Sequence, residues 1–357
     1  MDVHKAGEVE GLSDTERGLL RDSVRELLAR RWPAHRAVEA AQDTGAIATI
    51  WRDLAGQGLA AVGTGATGLR EAILVFEELG RASCPAPLLG ALAANLSVGH
   101  EQSNSAAAFI RDLHEGQAML ALALGGFDGD PGAGFIELRD GMLSGTASFV
   151  EGELAATHHL VLTDSGIALV AADADGLTRR VTPGLAVPAL SEIIFDKTIA
   201  LHWSLPRARL SDIATVARLS CAGRALGAAQ RAFDMAVEHA KVRKQFGQLI
   251  GQFQAVQHKL ADCMTGLDGA RLVIESAADA YDAGNPDWHF FAASALAFAG
   301  PTLREVSVQT HRALGAIGYA EEHEAPRHFR RVHADLARFG GVPRARAELA
   351  DLLLGPI

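Results

Sequence analysis

The sequence predicts a mostly α-helical chain with a small β-domain at its centre, on three observations. Apolar residues recur at intervals of three and four up to about residue 115; between about 116 and 208 the pattern changes to short alternating runs; from about 209 the helical period returns and holds. Domains are therefore expected at 1–115, 116–208 and 209–357. A chain of 357 residues, 48% of them hydrophobic, can bury the core of two or three such units.

In the first segment the helical stripe is carried by Leu19, Leu20, Val24, Leu27 and Leu28, then by Ile73, Leu74, Phe76 and Leu79. Asp14 and Thr15 supply a cap signal at its start, and Gly65, Gly80, Pro85 and Pro87 supply breaks. Strands are expected at 119–124, 148–150, 159–163, 167–171 and 193–195, separated by Gly, Asp and Pro turns. After Pro206, Ser211 reads as an N-cap. Phe253, Val256, Leu260, Met264, Leu267, Arg271, Ile274 and Ala278 then mark one stripe of about seven turns, and helices that long pack as an antiparallel bundle. Gly223 and Gly227 read as places where helices approach closely.

A net charge of −10, with acids spread along the chain, argues against nucleic acid or an anionic membrane as partner. Cys84, Cys221 and Cys263 have no metal-like spacing and make no even disulfide framework, which fits a reducing cytoplasm. The first residues show no export signal, and no run of about 18 apolar residues suggests a membrane span. His323, His328 and His333 are spaced by five, which rotates by about 140° on a helix, so their rings cannot converge on a metal. No metal site is expected. Asp128 and Asp130 lack the later ligands of a calcium loop.

Three segments carry a family resemblance. The stretch 241–262, KVRKQFGQLIGQFQAVQHKLAD, has an Arg-x-x-Phe-Gly turn leading into a Gln-rich helix start. The stretch 314–322, LGAIGYAEE, is followed by His328, Phe329, Arg330 and Arg331. A third and weaker match is FEELGRASCPAP at 76–87. On these residues the chain resembles the acyl-CoA dehydrogenases over essentially its whole length, most strongly after residue 210. The resemblance implies an N-terminal helical domain, a β-barrel-like middle domain and a C-terminal four-helix bundle that forms the core of an oligomer.

It also implies FAD as cofactor and an acyl-CoA thioester as substrate, with an electron-transfer flavoprotein as acceptor. The residues implied as FAD contacts are Arg243, Gln245, Phe246, Ile250, Phe253, Arg312, Gly315 and Ala316. In the family the Arg-Phe turn and the Gly-rich segment reach the FAD of a neighbouring subunit. The residue types suit such a contact, since a planar guanidinium bridges a diphosphate through paired charge-assisted hydrogen bonds, Phe246 offers a flat apolar face, and Gly247 permits a tight turn.

The sequence departs from the family at its chemistry. A Glu takes the α-proton of the substrate while the β-hydrogen leaves as hydride. The family places that Glu in a Glu-Gly-Thr-like segment after the basic helix, where this chain reads Arg338, Phe339, Gly340 and Gly341. The alternative position, before an Arg on the first bundle helix, is Ala217 before Arg218. The hydroxyl-bearing loop against the flavin ring is replaced by ALGGFDGDPGAG at 123–134, and Arg312 stands where the family commonly has Gln. No catalytic residue is therefore assigned, with Phe339 and Ala217 at the two family positions. The expectation is a subunit that shares a site with a related, Glu-bearing chain in an α2β2 complex, resembling the heteromeric enzymes of actinobacterial sterol side-chain breakdown. Two other readings stay open: a stabilising or regulatory homologue that binds no flavin, and a self-sufficient homo-oligomer.

Overall fold

A computed structural model describes residues 11–355 except 66, 101–102, 128–134 and 185. The expected loop at Asp128 and Asp130, with most of the segment 123–134, lies outside the described residues. Among the described residues, six α-helices come first: α1 (Asp14–Arg31), α2 (Ala34–Glu39), α3 (Thr44–Ala55), α4 (Leu69–Arg81), α5 (Leu88–Ser97) and α6 (Asn104–His114). The cap of α1 is Ser13 and not Asp14 or Thr15. Its hydroxyl accepts from the Glu16 amide at 3.3 Å while the Glu16 carboxylate accepts from the Ser13 amide at 2.8 Å, a reciprocal box that starts the helix one residue earlier.

The middle region holds β1 (Leu120–Ala123), β2 (Glu137–Arg139), β3 (Met142–Glu151), β4 (His158–Leu162), β5 (Gly166–Ala171), β6 (Leu177–Val181), β7 (Leu190–Ile199) and β8 (Leu201–Ser204). They form two four-stranded sheets, ordered β1-β4-β5-β8 and β2-β3-β7-β6. The five expected strands fall on β1, β3, β4, β5 and β7. Alternation along the first sheet sorts side chains between two cores. Leu120, Leu122, Leu160, Leu162, Ile167 and Leu169 join the helical core. Ala121, Ala123, Val161, Ala168 and Val170 face the second sheet, where they meet Leu143, Val150, Ile193 and Phe195.

The C-terminal part holds α7 (Arg207–Val242), a two-residue-stranded hairpin β9 (Lys244–Gln245) and β10 (Gln248–Leu249), α8 (Gln254–Asp282), α9 (Trp288–Leu314), α10 (Ala325–Ala337) and α11 (Gly341–Leu354). α7 begins at Arg207, four residues before the Ser211 cap expected from sequence, because Pro206 needs no amide donor and its φ of −59° feeds the helix. The bundle is built of the three long helices α7, α8 and α9, completed by the shorter α10 and α11. Phe339, Gly340 and Gly341 have φ of 57°, 83° and 53°, which ends one helix and starts the next. α10 then lies against α7 and α9, and α11 against α9.

The N-terminal helices and the bundle share one continuous apolar core, with α4 laid on α7. Two glycines allow that crossing. A Cβ on Gly227 would stand 1.8 Å from the Glu77 carbonyl oxygen, and one on Gly80 would stand 1.8 Å from that of Arg224. The packing role expected for Gly227 is thereby observed; Gly223 faces Ile73 in the same contact. The acids of α4 are buried and paired: Glu71 with Arg17 at 2.9 Å, Glu78 with Arg25 at 2.7 Å, and Glu77 with Arg21 and Arg271. The Asp282 carboxylate at the end of α8 accepts from the amides of Leu69 and Arg70 at 2.7 and 2.8 Å, capping α4 from the far end of the chain.

Candidate functional site

The segment 243–249 forms an exposed arm at the end of α7, and residues 250–252 pack back against α7 and α8. Arg243 ends α7 in an extended conformation, and its carbonyl accepts from the Ile250 amide at 2.9 Å, closing the arm at its base. Gln245 pairs with Gln248 across a two-residue turn of Phe246 and Gly247, whose φ values of 53° and 83° give the doubly left-handed turn that suits tight hairpins. Glycine takes that conformation freely, whereas phenylalanine is strained there. Phe246 is nonetheless 92% exposed, and among the described residues its ring pairs edge-on with that of Phe253, centroids 6.2 Å apart. Ile250 and Phe253 are half-buried at the arm's root, and Lys241, Arg243, Lys244 and Gln245 are exposed. A strained backbone thus presents a large apolar ring to water among cations.

The Gly-rich segment lies at the same end of the bundle. α9 stops at Leu314, and the chain turns through a short 3-10 helix at Gly315–Tyr319, with Gly315 at φ 62°. Leu314 and Ala325 share a small separate core with Ala232, Met235 and Ala236 of α7, which draws this turn towards the root of the arm. Arg312, Gly315 and Ala316 are exposed. A Cβ on Gly315 or Gly247 would meet nothing within 4 Å, so both backbones are open to approach. Burial, with Arg243 and His323 beside it, pushes the His239 imidazole below its ordinary pKa. The neighbouring acids are already committed. Glu324 pairs with Arg231 and His328, which hold it at about 2 against the opposing effect of burial, and Glu321 pairs with Arg330.

Ala217 and Phe339, the two positions expected from sequence to match the family's Glu, lie elsewhere, in apolar packing. Ala217 is buried within α7, and Arg218 beside it is held by both oxygens of Glu348 at 2.7 and 2.8 Å. Phe339 is buried with the Arg338 guanidinium 4.5 Å above its ring. Between these positions and the β-domain sits a cluster of five charges, all buried or nearly so. Glu151, the last residue of β3, accepts from Arg224 of α7 at 2.5 Å, from Arg331 of α10 at 2.5 Å and from Arg338 at 2.7 Å. Arg224 also grips Asp335 through two bonds of 2.9 and 2.7 Å. Burial opposes ionisation of Glu151, but three guanidiniums outweigh it and hold the carboxyl far below its usual range. The void left beside Glu151, Arg224 and Arg338, lined by Pro85, Pro87, Leu120 and Leu122, measures about 20 Å³, room for roughly one water. Around Glu151, among the described residues, the junction of the β-domain with the bundle is therefore filled by side chains.

Sequence reasoning did not single out this cluster. Its signal was present: Arg224 interrupts the small-residue run CAGRALGAA of α7, and an ionised side chain in such a run is seldom buried without a partner.

A helical layer, a double sheet and a long-helix bundle in this order, with a basic aromatic arm at the bundle's end, define an oxidoreductase fold of the acyl-CoA dehydrogenase kind. The model for the acyl-CoA dehydrogenase C-terminal domain matches residues 209–341. Acyl-CoA dehydrogenase IpdE2 of Mycobacterium tuberculosis is 31% identical over 328 residues, covering 89% of this chain and 91% of that protein. IpdE2 of Mycolicibacterium smegmatis is 30% identical over 92% of this chain and 96% of its own. The chain belongs to the acyl-CoA dehydrogenase family. Among solved structures, the Tcur3481-Tcur3483 steroid ACAD aligns with a TM-score of 0.85 at 29% identity, covering 95% of this chain and 98% of its own. The ChsE4-ChsE5 complex from Mycobacterium tuberculosis shares the fold with a TM-score of 0.84 at 22% identity, over 97% and 99%.

Proposed function

We propose that this chain is a subunit of an FAD-dependent acyl-CoA dehydrogenase that introduces an α,β double bond into an acyl-CoA, and that it does so only with a related subunit, in an α2β2 complex. The single observation that carries this reading is the contrast between an arm that presents Phe246 to solvent and an interior closed around Glu151. Its relatives lend support: two of the similar structures are named as pairs of chains, and a glutaryl-CoA dehydrogenase from Mycobacterium smegmatis is described in complex with FADH2. The steroid substrate of one of those pairs makes a steroid-derived acyl group the favoured substrate class here.

The residues of the arm and turn fit FAD. Arg243 offers two parallel donors to a diphosphate, Phe246 a face for the adenosine, and Gly315 and Ala316 an open backbone, with Gln245, Ile250, Phe253 and Arg312 around them. FAD, when bound, supplies the hydride acceptor for the β-hydrogen. This chain's residues bind and orient; the α-proton is left to a carboxylate of the partner, since Ala217 and Phe339 can take none. An electron-transfer flavoprotein is the expected acceptor, and the cytoplasm the expected compartment.

Co-expression with a related, Glu-bearing chain tests the proposal. The complex should be yellow and the chain alone colourless, and Arg243→Ala should release flavin from the complex without dissociating it. Unchanged flavin content in that variant would refute the arm's role and favour a homologue that merely stabilises its partner. Dehydrogenase turnover by this chain alone would overturn the need for a partner.

A further inference from the structure

Beneath the Gly315–Tyr319 turn lies a column of rings that none of the roles above uses. His311 of α9 and Phe329 of α10 have centroids 4.7 Å apart with planes at 42°, and Phe329 and His333 have centroids 4.3 Å apart at 34°. Tyr319, the last residue of the turn, meets the His311 ring edge-on at 4.6 Å. Gly318 lies so close that a Cβ there would stand 3.1 Å from the His311 carbonyl oxygen. The turn thus rests on His311 at two points, one on the ring and one on the backbone.

The other end of the column is fixed by hydrogen bonds. The Ser307 hydroxyl donates to the Arg304 carbonyl at 2.7 Å, so the His333 Nε2 at 3.2 Å from the Ser307 oxygen carries the proton and donates to it. That assigns the neutral tautomer with Nδ1 free of its proton. The charges around the rings are cationic: Arg304 of α9 faces His333, and His333 faces His311, while on α10 Arg330 is taken up by Glu321. Burial first, and these neighbours second, push both imidazoles below their ordinary pKa. Burial disfavours a charge on either ring, and two cations facing one another across Phe329 would also repel each other and Arg304.

We propose that His311, backed by Phe329 and His333, is a positioning residue for the Gly315–Tyr319 turn, and that the turn is held only while both imidazoles are neutral. Resting on the proposed function, this makes flavin retention by the complex dependent on pH through residues that do not touch the flavin. The sign follows from the direction of the shifts. A group whose pKa is lowered in place contributes fully above its free value of about 6.5 and loses that contribution as the pH falls.

The test is hydrogen exchange of the amides of residues 315–319 in the complex, corrected for intrinsic rates, together with flavin release, at pH 7.5 and 5.5. Exchange in the unaltered protein should rise up to about tenfold per imidazole, the limit set by one pH unit below the free value. His333→Phe keeps the stack and removes one titrating group, so most of one such factor should vanish, and flavin release should follow. Equal pH dependence in the two proteins would overturn the proposal. Should that variant not fold, a proton NMR titration of the unaltered chain decides, since His311 and His333 values at or above 6.5 would also overturn it. A turn that loosens in acid while flavin stays bound supports the column and refutes the cofactor contact at Gly315 and Ala316.

Discussion

Replacing Glu151 by glutamine isolates the electrostatics of the closed junction, because the side chain keeps its size and an acceptor oxygen and loses only its charge. In the native chain Glu151 answers three guanidiniums, those of Arg224, Arg331 and Arg338, each in a residue no more than 5% exposed. After the change three cations would face Asp335 alone. Breaking a buried pair in this way typically costs about 3–5 kcal/mol, because the desolvation of the remaining charge is no longer repaid. With an unfolding entropy of about 2.1 cal/mol/K per residue, a chain of this length loses roughly 1.3 °C of Tm per kcal/mol, so calorimetry should show a fall of about 4–7 °C. Arg338 has the least other polar support, one long contact to the Cys221 sulfur at 3.9 Å beside its stacking over Phe339, so adding Arg338→Met to Glu151→Gln should return at least half of the loss. A fall below about 1 °C, or a double variant whose losses simply add, would show that the cluster is not a coupled unit.

Two further outcomes follow from packing. Gly227→Ala puts a methyl carbon 1.8 Å from the Glu77 carbonyl, so α4 and α7 must separate; a loss of more than about 3 kcal/mol, or insoluble protein, is expected in urea unfolding. Phe246→Ala removes the side chain of a residue that is 92% exposed and keeps the Cβ strained by the turn, so the stability of the chain alone should stay within about 0.5 kcal/mol. The same substitution should weaken flavin retention and assembly when the partner is present, read by gel filtration and the flavin absorbance.

The order of helices, strands and helices was legible because burial enforces a period, 3.6 on Ile274 and Ala278 of α8 and 2 on the residues of β4 and β5. Strands β6 and β8 were not legible: residues such as Arg179 and Arg180 lie on an exposed outer face and carry no alternation. Helix starts were displaced by local chemistry, the reciprocal box at Ser13 and the prolyl φ at Pro206, which act over one to four residues where periodicity is blind. Of the candidate site, the arm was legible because its turn and aromatic are contiguous in sequence. The ion cluster was not, since Glu151, Arg224, Arg331, Asp335 and Arg338 come from distant elements and meet only in the fold.

The cap that Asp282 places on α4 also bears on how the chain is made. The amides of Leu69 and Arg70 wait for an acceptor more than two hundred residues downstream, Glu77 waits for Arg271, and the apolar face of α4 waits for α7. A ribosome adding about 5–20 residues per second takes at least ten seconds or so to deliver them. Throughout that interval the apolar face of α4 has no bundle to lie on, while its acids already have the arginines of α1 as partners. Until α7 and α8 have emerged, α4 therefore lacks both the surface it packs on and the acceptor that caps it.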